Sequence, residues 1–123
     1  MGFVLTYKHL ADLIPKDWTV VDLGCAYNPQ NWYFRRHHKY IAVDNQTTER
    51  FVFPNTELYH GNIETWISEH QVEIDPKTTF AILNYVPSVD AEIVKSAFEN
   101  LYIFYPFTLQ PHIPHHPRVP RID

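Results

Sequence analysis

The chain has 123 residues, enough for one domain with a single core, and 45% apolar content with 8 Tyr, 8 Phe and 3 Trp marks it as globular, not disordered. A formal net charge of −4 gives no reason to expect a polyanion partner, and the only local basic run is Arg35-Arg36-His37-His38-Lys39. One cysteine excludes an internal disulfide, no apolar stretch is long enough to span a membrane, and the N-terminus lacks a signal-peptide layout, so a soluble cytoplasmic domain is expected.

Residues 4–14 carry Val4, Leu5, Tyr7, Leu10, Leu13 and Ile14 at mostly three- and four-residue spacing, which predicts a helix packed by one face and closed by Pro15. Trp18 to Leu23 lacks alternation and reads as a strand buried on both faces, as in a parallel sheet. Gln30 to His38 is expected as a short aromatic and basic helix, followed by a second strand from Tyr40 to Val43. Asn45 to Pro54 reads as a loop, with one turn of helix at most.

Thr56 to His60 is a weaker third strand, ended by Gly61-Asn62, and Ile63 to about His70 forms a helix with Ile63, Trp66 and Ile67 on one face. Asp75-Pro76-Lys77 is a turn and Thr78 to Leu83 a fourth strand. Ser88 or Asp90 caps a helix running to Asn100, with Ile93, Ala97, Phe98 and Leu101 at core spacing. Leu101 to Tyr105 is the fifth strand, apolar at every position. Residues 106–123 hold five prolines and three histidines and read as an extended tail, since proline cannot serve a central strand. The chain is therefore one domain over 1–105 with a Pro/His-rich tail. The alternation of helix and strand argues for an α/β fold with a mostly parallel sheet.

The stretch with the most chemical content is Val20-Val21-Asp22-Leu23-Gly24-Cys25-Ala26-Tyr27-Asn28-Pro29, answered by Tyr40-Ile41-Ala42-Val43-Asp44. Strand, glycine turn, helix, strand and acid in that order make a nucleotide-sized crevice at the carboxyl ends of a parallel sheet, with the acid placed for a ribose. An ordinary βαβ unit whose Gly24 and Asp44 only serve turns is the plainer alternative. Elsewhere, Cys25 reads as a small buried residue. His112-x-x-His115-His116 has imidazoles but no adjacent carboxylate or thiolate, so no metal site is expected. Ser88 and Thr108 have no visible base.

These segments, with Gly61-Asn62-Ile63 and Phe80-Ala81-Ile82-Leu83-Asn84-Tyr85, resemble the Rossmann-like S-adenosylmethionine-dependent methyltransferases over roughly residues 18–105. The resemblance implies a three-layer sandwich of about five mostly parallel strands in the order 3-2-1-4-5, without the family's last, antiparallel strand pair. It implies S-adenosylmethionine as cofactor, with Asp22, Gly24 and Ala26 forming the turn and Asp44 accepting the ribose hydroxyls. Asn62 would bond the adenine amino group, Ile63 would pack on the ring, and Asn84 and Tyr85 would face the reaction site. The chain departs from the family pattern at Asn28 and at Asn62, where glycine and aspartate are commoner. Transfer of a methyl group to an unidentified acceptor is the implied activity. A non-catalytic binding or assembly module, or an enzyme of another nucleotide such as a nicotinamide cofactor, are the alternatives. The uncovered edge of strand five is expected to meet a second copy in a homodimer, or else the tail folds over it.

Overall fold

The computed structural model describes residues 2–24, 30–45, 53–84 and 89–104, with side chains from Thr6 onward. Expectations for Cys25, Ala26, Tyr27, Asn28, Tyr85, Ser88 and the histidine tail lie outside the described residues. Five strands, β1 (Thr19–Leu23), β2 (Lys39–Asp44), β3 (Thr56–His60), β4 (Thr79–Asn84) and β5 (Asn100–Phe104), form one sheet ordered β3-β2-β1-β4-β5. Every pairing is parallel. The order and direction are compatible with a Rossmann-like arrangement.

Among the described residues three α-helices flank the sheet: α1 (Gly2–Leu13), α2 (Ile63–His70) and α3 (Ala91–Ala97). Strand residues alternate between faces, so β1 sends Val20 toward α1 and Val21 and Leu23 toward α2 and α3. One apolar cluster joins Tyr7 and Leu10 of α1, and Ile14 just beyond it, to Val20, Tyr40, Phe80 and Ile82. The other joins Ile63, Trp66 and Ile67 of α2 and Val94 of α3 to Val43, Leu83 and Leu101. Burial on both faces is why β1 and β4 read as nearly unbroken apolar runs.

The helix ends follow local chemistry. Lys16 Nζ donates to the Ala11 carbonyl at 2.6 Å, placing a cation where the end of α1 is negative. Asn62 caps α2, its Oδ1 accepting from Thr65 N at 3.1 Å, and Asp90 caps α3 by accepting from Glu92 N at 3.0 Å. Of the two caps expected for the last helix, Asp90 is the one used.

Two expectations are corrected. Gln30 to His38 is not a helix but a chain of tight turns, with Tyr33 N bonded to Gln30 O, Phe34 N to Asn31 O and His37 N to Phe34 O. Three consecutive aromatics leave no single apolar face for an α-helix to bury. The turns bury Phe34 while Trp32 stays 57% exposed. Asn55 Nδ2 then donates to the Phe34 and His37 carbonyls, at 2.9 and 2.8 Å. The last helix, in turn, stops at Ala97 because Phe98 becomes extended to enter the core (φ −123°, ψ 129°). Its phase differs by one residue from the expected one: Val94 is buried and Ile93 exposed.

Phe34 is fully buried, stacked on Tyr40 at 5.4 Å between ring centroids and edge-on to Tyr7 and His37. Phe34→Ala should therefore lower unfolding free energy by about 3–5 kcal/mol in urea titration. A loss below about 1 kcal/mol would show that the turn segment contributes little to the core.

Candidate functional site

The switch point of this sheet lies between β1 and β4, where the strand order reverses. Gly24 follows β1 there at φ +82°, a backbone region open mainly to glycine, and its N–H donates to Val43 O at 2.8 Å. A Cβ on Gly24 would stand 3.0 Å from the Asn84 carbonyl oxygen and 3.7 Å from Ile63 Cδ1. The turn thus needs glycine twice over, for its φ and for the close approach of β4. Asp44 ends β2, and its carbonyl accepts from Gly61 N at 3.1 Å.

The period of two places Asp22, Asp44 and Asn84 on the α1 face of the sheet. Asp22 is completely buried within β1, which a carboxyl group tolerates only with partners. Tyr40 Oη donates to its Oδ2 at 2.5 Å and Asn84 Nδ2 to its Oδ1 at 3.1 Å. Tyr40 Oη in turn accepts from Gln30 N at 2.8 Å, and Asn84 Oδ1 accepts from Tyr7 Oη at 3.3 Å. Four segments of the chain are tied through this one carboxyl. Burial pushes the Asp22 pKa up to about 7, the neighbouring Asp44 charge adds to the rise, and the bonds from Tyr40 and Asn84 oppose it. Burial wins.

Gly24, Asp44, Asn62, Ile63 and Asn84 all stand at the carboxyl ends of the strands or in the residues just beyond them. Asp22 is not a turn-shaping residue at the surface but the hub of a buried network. The Asn62 amide oxygen expected at an adenine already accepts from Thr65 N, and Ile63 is a core residue, 7% exposed. Sequence reasoning missed Tyr40 and Tyr7. The signal was present in Tyr40, since a tyrosine opening a buried strand must find a partner for its hydroxyl, and an acid inside the adjacent strand must find a donor.

A cavity of about 290 Å³ lies at the other end of the sheet, against Thr19, Lys39, Trp66, His70, Asp75 and Thr79. Open parallel sheets bind ligands at the carboxyl ends, which separates this cavity from the Gly24 turn. Among the described residues no group of three or more His, Cys, Asp or Glu is placed to hold a metal ion, and no helix is long and apolar enough to cross a membrane.

The raised Asp22 pKa has a stability consequence. Between the ordinary carboxyl value of 3.8 and about 7 the folded state holds the extra proton, so this group's contribution falls as pH rises through that window. His37, whose pKa burial lowers, acts oppositely and loses stability as pH falls below 6.5. Subtracting wild type from Asp22→Asn isolates the carboxyl. The variant should gain about 3 kcal/mol on wild type between pH 5 and pH 8, read from urea midpoints. A difference that stays flat over that range would mean Asp22 titrates normally.

Compared with protein-family models, curated proteins and solved structures, the chain matches none, so its functional reading rests on the residues above.

Proposed function

We propose that the protein is a Rossmann-like, methyltransferase-type domain that binds S-adenosylmethionine at the carboxyl ends of β1, β2 and β4 and transfers its methyl group. The observation that carries this reading is the convergence of Gly24, Asp44 and Asn84 at the switch point, above a buried carboxyl. Gly24, Asp44 and Asn84 are the residues that would hold the cofactor, while Asn62 caps α2 and Ile63 belongs to the core. Gly24 lets the backbone turn pass close to the end of β4, and Asp44 ends β2 with a carboxylate, a group suited to a vicinal diol. Asp22 and Asp44 together favour a ligand with positive charge, such as a sulfonium and an ammonium.

When bound, S-adenosylmethionine supplies an electrophilic methyl, so the chain's own work is placement. Asn84, held by Tyr7 and Asp22, would position the acceptor from the end of β4, and Tyr85 follows it directly. A cationic ligand would draw Asp22 toward its carboxylate form, so affinity should rise with pH up to about 7. One observation favours a non-catalytic binding module instead: β5 has no strand on its outer side among the described residues, where the methyltransferase family continues its sheet.

Calorimetric titration with S-adenosylmethionine, its demethylated product and NAD separates these readings. Asp44→Ala should weaken S-adenosylmethionine binding about tenfold or more, the loss of a charged hydrogen-bond partner costing about 1.5–3 kcal/mol, with circular dichroism unchanged. Unchanged affinity removes Asp44 from the site, absence of binding to either methyl-donor form favours the binding module, and tighter binding of NAD favours the nicotinamide alternative.

The β5 edge also leads us to propose a two-fold homodimer. Ile103 and Phe104 are buried within the protomer, so the edge backbone, and not these side chains, is what a second copy would meet. Light scattering at micromolar concentration should report twice the chain mass. A strictly monomeric protein at every concentration would return the covering role to the tail.

A further inference from the structure

The basic run at residues 35–39 looks isolated in sequence, but the fold adds to it. Lys8 lies on α1 and Lys16 follows it, and both line an open groove of about 460 Å³ together with Arg35, Arg36, Trp32 and Tyr33 of the turn segment. Asp12 is the one acid among the lining residues, against four cations. That is a local excess of three positive charges on a chain whose formal charge is −4.

The groove also holds flat surfaces. Trp32 is 57% exposed, and the Arg35 guanidinium lies over its ring at 3.8 Å, fixed by a 2.7 Å bond from Nη1 to the Trp32 carbonyl. Phe53 approaches the same indole at 6.1 Å between ring centroids. Tyr33 is stacked on Tyr7 at 6.3 Å. Cations for a backbone, interleaved with planar groups for bases, are the two parts of a single-stranded nucleic-acid site. A phosphopeptide would use the charges and leave the aromatics idle.

We propose that this groove binds a single-stranded nucleic-acid segment, Lys8, Lys16 and Arg36 holding phosphates while the Trp32–Arg35 stack takes a base. The proposal stands independently of the methyl-donor reading. Three or four phosphate contacts make the binding weak and strongly dependent on salt, with log affinity falling against log salt at a slope of about −2 to −3.

Fluorescence anisotropy with labelled oligouridine and oligothymidine of about twelve nucleotides tests it, with a duplex and a phosphoserine peptide of matching charge as comparators. At about 50 mM salt the single strands should bind more tightly than both comparators. A preference between the two strands distinguishes RNA from DNA. Lys8→Glu with Arg36→Glu, both exposed, should weaken binding about tenfold or more and flatten the salt slope by about 1 or more. Trp32→Ala should cost about fivefold or more without altering that slope. Absence of binding at about 1 mM protein, or affinity unchanged in both variants, overturns the proposal. Equal affinity for the phosphopeptide with no effect of Trp32→Ala overturns it as well, leaving only an anion-attracting patch.

Discussion

A carboxyl group buried in the central strand is the constraint around which this protein is built. Asp22 has no access to water, so its oxygens must be answered from inside the fold. The register does this diagonally. Asp22 lies opposite Ala42 on one side and Ile82 on the other, which brings Tyr40, two residues before Ala42, and Asn84, two residues after Ile82, within reach. A slip of one residue in either pairing would turn the donor to the opposite face. The polar network thus fixes what apolar burial alone leaves loose, since Val20, Val21 and Leu23 would bury well in several registers. Losing one partner is costly because it strands the others: Tyr40 also serves Gln30 N, and Asn84 also serves Tyr7.

The same network brings the candidate site close to its supports. Asn84 faces two ways, its amide bonded to Asp22 and Tyr7 while its carbonyl crowds the Gly24 turn. Any residue larger than glycine at position 24 would push on β4 and, through Asn84, on Asp22. The turn, the end of β4 and the buried acid therefore behave as one mechanical unit. Asp44 joins it through charge, because its carboxylate at the end of β2 makes Asp22 in β1 harder to ionise. A cation arriving at the switch point would relieve that repulsion, which gives the site a physical preference for positive ligands even before shape is considered.

Much of this architecture is legible in the amino-acid order, and the reasons are local. The boundaries of β3 and α2 match their sequence reading because Gly61-Asn62 ends one and caps the other. The strand order is the one that the resemblance implies, not one that the pattern of residues alone dictates. The turn segment was not legible as turns, because the adjacent Trp32, Tyr33 and Phe34 form no periodic stripe and only tertiary partners decide which ring goes inside. The phase of α3 was likewise set from outside, by Phe98 leaving the helix to enter the core. Asp22 was visible as an acid in a strand, but its role was not, since its partners are 18 and 62 residues away. Local patterns specify elements; long-range polar satisfaction specifies how they register.

Helix α1 is where the two electrically opposite regions of the protein meet. Tyr7 carries its hydroxyl to Asn84 and its ring to Tyr33, while Lys8, one position on, lines the basic groove that Tyr33 also lines. Acidic residues at the ends of β1 and β2 and cations along α1 and the turn segment therefore lie on the same side of the sheet, separated by two stacked tyrosines. On the two proposals made above, the cationic small molecule would sit at the switch point and the anionic chain along the groove. It also explains why Tyr33 is half-buried while Trp32 is exposed, since the first belongs to the wall between the regions and the second to the rim of one of them. Disturbing Tyr7 would then act in both directions, loosening Asn84 on one side and the Tyr33 wall of the groove on the other. Neither consequence follows from apolar burial alone, since Leu10 and the following Ile14 would hold α1 on the sheet without it.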